Sequence, residues 1–184
     1  MNIKDIFDKI DGISKELTEE TMITFQREWN LPLSDNELND LRKKDKKPSY
    51  WNDSTYGEWK PKKFEKWAFP KSNFPKEFLE LIKVYGGCAF IKGELEFSVF
   101  GPHDLRAMNI AYELPEYMTG AVSFGLDGAG NHILFDMRSK DSTDTYKIYA
   151  AHSSYLEWEG AILIANNFWE FIHGTENIDE IING

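Results

Sequence analysis

A serine, two aspartates and a histidine stand in the chain order of an α/β-hydrolase catalytic triad. The segment Ala121-Val-Ser-Phe-Gly125 is similar to a nucleophile elbow, and Asp136 or Asp144 precedes His152 further along the chain. An elbow requires a strand, a sharp turn at the serine and then a helix. Ser123 instead lies in a run of strand-forming residues that continues into a glycine turn and another strand. We therefore predict that Ser123 is a strand residue, and a hydrolase is a distant alternative.

The residue types that bind metals and phosphates lack the spacing that such sites need. The four histidines are scattered, without the His-Glu-x-x-His spacing of a zinc site, at His103, His132, His152 and His173. Three aspartates lack the fixed ligand spacing of a calcium loop, namely Asp136, Asp141 and Asp144. Gly128-x-Gly130 leads into a strand, so no helix N-terminus follows it to hold a phosphate. We expect no metal ion and no cofactor.

Residues 42–66 form a basic segment, with nine basic and four acidic side chains in an otherwise acidic chain. Aromatic residues are interleaved with its lysines, which is typical of single-stranded nucleic-acid binding; they are Tyr50, Trp51, Tyr56, Trp59 and Phe64. Aromatic residues in an irregular loop more often hold that loop against a core, while lysines keep its outer side hydrated. We predict a covering loop over residues 46–69 in preference to an RNA-binding surface.

The composition of the 184 residues indicates a folded, acidic protein. A hydrophobic fraction of 41% excludes bulk disorder, and the formal charge is −10. Because residues 42–66 carry +5, the remainder carries −15, which disfavours free nucleic acid as a partner and attracts basic protein surfaces. The length predicts a single domain over residues 1–184, with a helical part at 1–45, the loop at 46–69 and a core at 70–175.

Two features of the sequence favour a cytoplasmic protein that does not enter membranes. The N-terminus is charged where a signal peptide would be apolar, and the apolar run Ala161–Ala165 is too short to span a bilayer. Cys88 is the single cysteine, so no intrachain disulfide can form.

Three helices are predicted before the basic segment. The first rests on apolar residues at helical spacing: Ile3, Ile6, Phe7, Ile10, Ile13 and Leu17. Thr18 can cap the second helix, whose apolar face contains Met22, Phe25 and Trp29. Ser34-Asp-Asn-Glu37 matches a capping box and opens the third.

The strands are predicted in the middle of the chain. A helix that begins at Phe74-Pro75 and ends at Gly86-Gly87 is followed by two strands, Cys88–Ile91 and Leu95–Val99. Ala121–Phe124 and Ile133–Phe135 flank the glycine-rich turn between Asp127 and Asn131. Both flanks are too apolar for a solvent-exposed edge, so we predict a hairpin near the centre of a sheet.

The C-terminal part returns to helices. We predict a helix from Gly101-Pro102 to Tyr112, a strand at Thr145–Tyr149 and a final turn around Ile178–Ile182. A terminal helix is predicted over Ile162–Ile172, with Phe168, Trp169 and Ile172 as its buried residues. Helices first, strands in the middle and a closing helix predict an α+β fold.

Three motifs between residues 70 and 175 occur in an order that is informative. They are the helix from Phe74-Pro75 to Gly86-Gly87, the strand pair Gly93–Phe100, and Gly125-x-Asp127-Gly-x-Gly-x-x-Ile-x-Phe-Asp136 followed by Tyr146 and a closing aromatic helix. Their order and spacing resemble the SUKH superfamily, the Smi/Knr-like proteins. Phe74 stands where that family usually has Leu, and Tyr85 where it has Asn. The resemblance implies a mostly antiparallel sheet flanked by helices, and a function that is not enzymatic.

The resemblance also implies a kind of partner. Many bacterial members of the family look like immunity proteins, which bind and neutralise a toxin delivered by neighbouring cells, often a nuclease or deaminase. We expect a cognate toxin with a basic surface, because an acidic body can block a basic cleft as a phosphate mimic. The alternative is an intracellular scaffold that binds proteins through residues 50–69. The apolar C-terminal residues also leave a homodimer open.

Eight acidic residues in or beside predicted loops and helix ends are the candidate contacts to this partner. They are Asp104, Glu113, Glu116, Asp127, Asp141, Asp144, Glu157 and Glu159. We expect them to converge on one rim of the strand cluster. For any one of them alone, a solvated charge, a turn former or a helix cap is the simpler explanation.

Overall fold

A computed structural model describes residues 5–12, 16–138 and 144–183. The chain divides into two compact units, one formed by Met1–Asn30 with Phe69–Gly184 and the other by Leu31–Ala68. The candidate site described below lies in the first unit. The extent of the single domain expected from the sequence stays a prediction.

The first unit is built on a seven-stranded sheet whose spatial order is the order of the strands in the chain. All six neighbouring pairs are antiparallel. The strands are β1 Lys9–Asp11, β2 Ala89–Lys92, β3 Leu95–Val99, β4 Ala121–Leu126, β5 Asn131–Asp136, β6 Ile148–His152 and β7 Ile162–Ala165. With helices on both faces, this sheet confirms the predicted α+β class.

The predicted central hairpin is β4 and β5, the fourth and fifth of the seven strands. Gly128 and Gly130 have φ values of 83° and 103° in its turn, a region that side chains disfavour. The carboxylate of Asp127 accepts hydrogen bonds from the backbone N–H groups of Ala129 and Asn131, both at 2.9 Å. The two glycines and Asp127 therefore determine the turn of the hairpin, as the sequence predicts.

The helices of the chain are α1 Glu19–Glu28, α2 Asp35–Lys44, α3 Asp53–Tyr56, α4 Lys76–Tyr85, α5 Leu105–Ala111, α6 Leu114–Tyr117, α7 Phe168–His173 and α8 Ile178–Asn183. Thr18 caps α1 through a 3.2 Å hydrogen bond from the N–H of Thr21, and Ser34 and Glu37 form the predicted capping box of α2. The cap signals thus placed both helix starts correctly.

One face of the sheet is covered by α4 and α7 through an aromatic core. Phe124 of β4 stacks on Phe135 of β5 with ring centroids 4.2 Å apart. The ring of Phe78 in α4 lies 5.3 Å from that of Phe135 and 5.5 Å from that of Phe168 in α7. These side chains are at most 1% exposed, so the centre of this face is an aromatic, apolar core.

The opposite face is covered by α5 and α6. Leu114 and Met118, at the two ends of α6, pack in one cluster with Ala121 and Leu134 of the hairpin. Next to them, the buried side chain of Asn109 in α5 is hydrogen-bonded to β4. This face therefore combines an apolar cluster with buried polar groups.

The predicted first helix is wrong over its described residues, where the chain forms strand β1. Phe7 packs on Phe90 with ring centroids 4.6 Å apart, and the N–H of Asp8 bonds to the carbonyl of Ile91 at 2.9 Å. Gly12 has φ 78°, which no right-handed helix accepts. Pairing with β2 outweighs the helical spacing, while Ile3 and Ile13 lie outside the described residues.

Two further predictions at the C-terminal side need correction. The predicted helix Ile162–Ile172 is a strand, β7, followed by a helix that begins at Phe168, because the side chain of Asn167 caps its N-terminus at 2.8 Å. Trp169 is 46% exposed and not buried, unlike Phe168 and Ile172. The predicted strand Thr145–Tyr149 starts and ends three residues later, as β6. Helix α6 had no counterpart in the prediction.

The second unit, Leu31–Ala68, contains α2, α3 and a short 3-10 turn at Phe64–Lys66. Some of its basic side chains pair with its own acidic ones: Arg42 contacts Glu65, and the ammonium of Lys47 lies 2.7 Å from the carboxylate of Asp53. Phe64 is buried and meets Trp67 edge to face. In contrast, Tyr50 and Tyr56 are exposed by 75% and 58%. The aromatic segment is therefore partly core and partly surface.

Candidate functional site

A groove of about 430 Å³ opens between the α5–α6 corner and the loop that joins β6 to β7. It is lined by Ala111, Tyr112, Glu113, Tyr117 and residues 153–157. We call it the Tyr–Glu groove, after its three tyrosines and two glutamates. Tyr117 and Tyr155 are half exposed at 49% and 52%, so aromatic surface is presented to solvent beside carboxylates.

The α5–α6 corner is a sharp bend that turns Glu113 toward the groove. Glu113 takes a left-handed conformation with φ 56°, and Pro115 lies in the first turn of the short helix α6. Leu114 and Met118 are fully buried and anchor the helix on the sheet. Since the buried residues fix the corner from below, Glu116 and Tyr117 remain on the outside.

The β6–β7 loop is held by two inward side chains. Leu156 joins the apolar cluster of α6 and β5, and it is 7% exposed. The Trp158 ring meets Tyr149 edge to face at 5.6 Å, and its indole N–H donates to the carbonyl of Thr119 at 3.1 Å. With its inner side chains fixed in this way, the loop presents Glu157 and Glu159 to solvent in a preformed arrangement.

Arg138 locks the same loop from the side of the sheet. Its guanidinium lies 3.6 Å from the centre of the Trp158 ring and donates to both carboxylate oxygens of Asp136, at 2.8 and 2.7 Å. Burial alone would raise the pKa of Asp136, but the hydrogen bonds from Arg138 outweigh it and the pKa is lowered. Asp136 is thus ionised at neutral pH and serves to orient Arg138.

Two glutamates act electrostatically on one groove tyrosine. The charge of Glu157 and its hydrogen bond to the phenol come first among the causes that raise the pKa of Tyr155, and the charge of Glu159 adds to them. The Tyr155 ring also lies against Gly160, where a Cβ atom would come within 2.4 Å of it. Tyr155, Glu157 and Glu159 therefore form one connected group at the edge of the groove.

A buried polar cluster lies beneath Tyr112. The amide of Asn109 donates to the carbonyls of Leu105 and Ser123 at 2.8 and 2.7 Å, and its oxygen accepts from the N–H of Ser123 at 2.9 Å. The Oγ atom of Ser123 lies 2.8 Å from Nδ1 of His132, whose ring is 4.3 Å from that of Tyr112. The cluster joins α5 to β4 and supports the groove from below.

His132 is neutral at physiological pH because it is completely buried. Burial lowers its pKa from 6.5 to about 4; the charge of Asp127 opposes this effect and that of His152 adds to it. Among the described residues, its Nε2 atom has no hydrogen-bond partner. Protonating His132 in the folded state would place an unpaired charge in the core.

The residues predicted for a hydrolase do not form a catalytic triad in the structure. Ser123 lies inside β4 and is 0% exposed, and a turn and then a strand follow it, as predicted. His152 bonds to Ser154 at 2.7 Å, and Asp136 bonds to Arg138, so neither of these predicted partners faces Ser123. Within the described residues, no three His, Cys, Asp or Glu side chains form a group that could hold a metal ion.

Four of the eight predicted contact residues lie at or beside the Tyr–Glu groove. Glu113 and Glu157 line it. Glu116 stands on α6 next to Tyr117, and Glu159 is exposed in the β6–β7 loop. The structure therefore brings Glu113 and Glu157 to one groove from two segments that are about forty residues apart in the chain, and Glu116 and Glu159 are close to them in sequence.

The other four are dispersed. Asp104 precedes α5 in a different depression that also contains Cys88 and Val99. Asp127 is used by the hairpin turn, and Asp144 accepts a 3.4 Å hydrogen bond from Asn73 near the start of α4. Asp141 lies outside the described residues. As contacts to a partner, all eight stay predictions.

The groove tyrosines were not among the predicted contacts. A signal for them exists in the sequence, since a glutamate stands next to Tyr112 and Tyr117 and two residues after Tyr155. Tyrosines and carboxylates side by side suit the recognition of arginine and lysine, because carboxylates pair with the charge and aromatic rings contact the aliphatic stem or the cation.

The antiparallel sheet between two layers of helices defines an α+β protein of the Smi/Knr-like class. A family model described as SMI1-KNR4 cell-wall matches residues 70–172, which is more than half of the chain. The chain belongs to this family, the SUKH family, whose members are in general toxin-immunity proteins that bind a protein partner. No curated protein matches the chain. Over the described ranges, the helices are too short or too polar to cross a lipid bilayer.

Proposed function

We propose that this protein is an immunity protein of the cytoplasm, which binds a cognate bacterial toxin through the Tyr–Glu groove and thereby neutralises it. The toxin would present a basic surface, as a nuclease or a deaminase that acts on nucleic acid does. The proposal assigns binding, and no catalysis, to this chain.

The observation that carries the proposal is the convergence of Glu113 and Glu157 on a groove with three tyrosines. Tyrosine and arginine dominate the energetic centres of protein interfaces, because large rigid side chains bury much area at low entropic cost. The anchors beneath the groove, Leu114, Leu156 and Trp158, hold it in shape before a partner arrives. A preformed surface loses less conformational entropy on binding.

The charge distribution supports the same kind of partner. The whole chain carries −10, and after Lys147 the sequence contains six acidic residues and no lysine or arginine. A potential of this sign accelerates the encounter with a basic protein, and added salt weakens the effect. Glutamates inserted in a basic cleft occupy the positions that nucleic-acid phosphates would take, so substrate and immunity protein exclude each other.

The test uses the toxin encoded beside this chain, expressed with and without it. We expect growth to be rescued and the two proteins to purify together as a one-to-one complex. Changing the four glutamates at or beside the groove together, Glu113→Gln, Glu116→Gln, Glu157→Gln and Glu159→Gln, should weaken the complex by about tenfold or more, mostly through slower association at low salt.

The matched control changes four exposed glutamates elsewhere: Glu20→Gln, Glu28→Gln, Glu80→Gln and Glu96→Gln. It alters the net charge equally, so a similar loss in both variants would mean that the groove has no special role. No rescue by a folded protein, against a toxin that still kills, would exclude immunity.

The exposed aromatic residues of the second unit favour one other candidate function. Tyr50 is 75% exposed, and the Trp51 and Tyr56 rings lie 5.3 Å apart beside it in sequence. Such residues could bind a cellular protein as a scaffold does. Deleting Tyr50–Lys60 should then remove that partner and leave toxin neutralisation intact; an unchanged set of co-purifying proteins would contradict this candidate.

A further inference from the structure

The two edges of the sheet differ in how they meet solvent. At one edge, β1 has three residues, of which Lys9 and Asp11 form an ion pair with each other. Short, charged edge strands are a common protection against unwanted strand pairing. This edge is therefore blunted.

At the other edge, β7 has the sequence Ile162-Leu-Ile-Ala165, without charge or proline. Ile162 and Leu163 are 38% and 43% exposed. Among the described residues, no strand pairs with its outer side. An apolar edge of this kind is a template for an added strand.

The backbone directions in the sheet identify the group that is available for pairing. The N–H of Asp136 bonds to the carbonyl of Lys147, and the N–H of Ser153 bonds to that of Gly130. This alternation directs the N–H and carbonyl of Tyr149 to β5 and those of Ala150 to Ile162 in β7. Leu163, the next residue, then directs its N–H and carbonyl away from the sheet.

The charge near this edge selects the partner. The chain after Lys147 contains only acidic charges at neutral pH: Glu157, Glu159, Glu170, Glu176, Asp179 and Glu180. Glu157 and Glu159 stand directly before β7, and α7 and α8 both pack against it. A second copy of the chain would bring two such acidic segments together, whereas a basic segment would be attracted.

We propose that β7 accepts an extended, basic segment of the partner protein, which adds a strand to the sheet next to Leu163. Main-chain hydrogen bonds supply the pairing, and lysine or arginine side chains at alternate positions meet the acidic residues. The edge lies at the end of the loop that carries Glu157 and Glu159, so it extends the surface of the Tyr–Glu groove. That the partner is a toxin rests on the proposed function; the strand acceptor does not.

The test uses a synthetic peptide of alternating lysine and valine with blocked ends, added to the full chain at low salt. We expect the amide of Leu163 to exchange about tenfold more slowly at saturation, and the largest NMR shift changes to lie in β7. The matched peptide of alternating glutamate and valine should produce neither effect.

Two variants separate the backbone from the side chain. The N–H of Leu163 points away from the sheet, so Leu163→Pro removes it without breaking a hydrogen bond to β6 and should abolish peptide binding. Leu163→Thr keeps this N–H and should retain peptide binding. Each variant is first checked for an unchanged circular dichroism spectrum. The shift and exchange data on the unmodified protein decide the question if the proline variant does not fold.

Other results would overturn the inference. Equal effects of the two peptides, shifts outside β7, or full binding by the Leu163→Pro variant would each exclude the basic strand. A dimer in sedimentation with the Leu163 amide already protected would identify a second copy as the occupant. Toxin binding that survives Leu163→Pro but not the four glutamate substitutions would exclude the toxin as the occupant of β7 and leave the proposed function intact.

Discussion

The two faces of the sheet differ in the interactions that they make, although the same hairpin contributes to both. Toward α4 and α7, Phe124 and Phe135 of the hairpin enter a cluster made of aromatic rings. Toward α5 and α6, the backbone of Ser123 bonds to the amide of Asn109 and its hydroxyl bonds to His132, in a buried polar cluster. One face buries apolar area, while the other uses directed hydrogen bonds beside its apolar contacts.

This difference shows which face mainly stabilises the fold and which face mainly positions a helix. Apolar contacts are strong but tolerate small rotations, whereas the two hydrogen bonds between the amide of Asn109 and the backbone of Ser123 fix the helix against β4 at one position. Asn109 fixes α5, which leads directly to Tyr112 and Glu113 of the Tyr–Glu groove. The polar face therefore positions the candidate site, and the aromatic face stabilises the domain.

The largest effect should come from removing an aromatic ring of the first face. Phe135→Ala deletes a ring that is 0% exposed and contacts Phe78, Phe124 and Phe168. We expect the free energy of unfolding to fall by about 3–5 kcal/mol, measured by urea denaturation. Trp169→Ala, on the exposed side of α7, is the control and should cost about 1 kcal/mol or less. Equal losses in the two variants would remove the distinction between core and surface on this face.

The second effect is a pH dependence that belongs to the polar face. His132 has a folded pKa of about 4 and an unfolded pKa near 6.5, so the unfolded state binds the proton more readily. The contribution of His132 to the free energy of unfolding is complete above about pH 6.5, falls as the pH is lowered, and is lost by about pH 4. The free energy of unfolding changes by about 3 kcal/mol over this range. Urea denaturation at each pH measures it.

His132→Gln is the matched control for this pH dependence, because it keeps a polar side chain that does not titrate. Its free energy of unfolding should change less between pH 6.5 and 4 than that of the unmodified protein. Parallel curves for the two proteins would assign the whole acid sensitivity to carboxylates.

The smallest of the three effects should come from Asn109→Leu, which keeps the branched shape of the side chain and removes the hydrogen bonds. The N–H of Ser123 would lose its partner inside the core, at a cost of about 2 kcal/mol. Unlike Phe135→Ala, this variant should also speed amide exchange at Tyr112 and Glu113, since α5 is no longer fixed to β4. Unchanged exchange there would mean that the polar cluster does not position the groove.

The sequence predicts the central hairpin, α1, α2 and α4, because each carries a local signal that tertiary contacts reinforce. Glycines at positive φ form the turn at Asp127–Asn131, and caps mark the helix starts. The edge strands have no such signal. Ile162–Ala165 is a short apolar run that fits a helix or a strand equally well, and β1 is determined by its distant partner β2.

The candidate site was predictable only in part. Charge pointed to Glu113, Glu116, Glu157 and Glu159, but nothing local in the sequence brings residues near 113 next to residues near 157. That proximity results from the order of β4, β5 and β6 in the sheet and from the inward side chains of Leu114 and Leu156. Asp127 was also selected by its charge, but its carboxylate accepts backbone hydrogen bonds within the hairpin turn.

The pairing of β1 with β2 also has a consequence for how the chain closes on itself. Each strand from β1 to β6 pairs with the next strand along the chain, but the stretch between β1 and β2 is the longest of these connections and includes Leu31–Ala68. The entropy lost in closing a loop grows only with the logarithm of its length. Omitting Leu31–Ala68 would roughly halve that stretch and lower the closure cost by only about 0.6 kcal/mol. The unit Leu31–Ala68 therefore lies within this connection and adds little to the entropic cost of pairing β1 with β2.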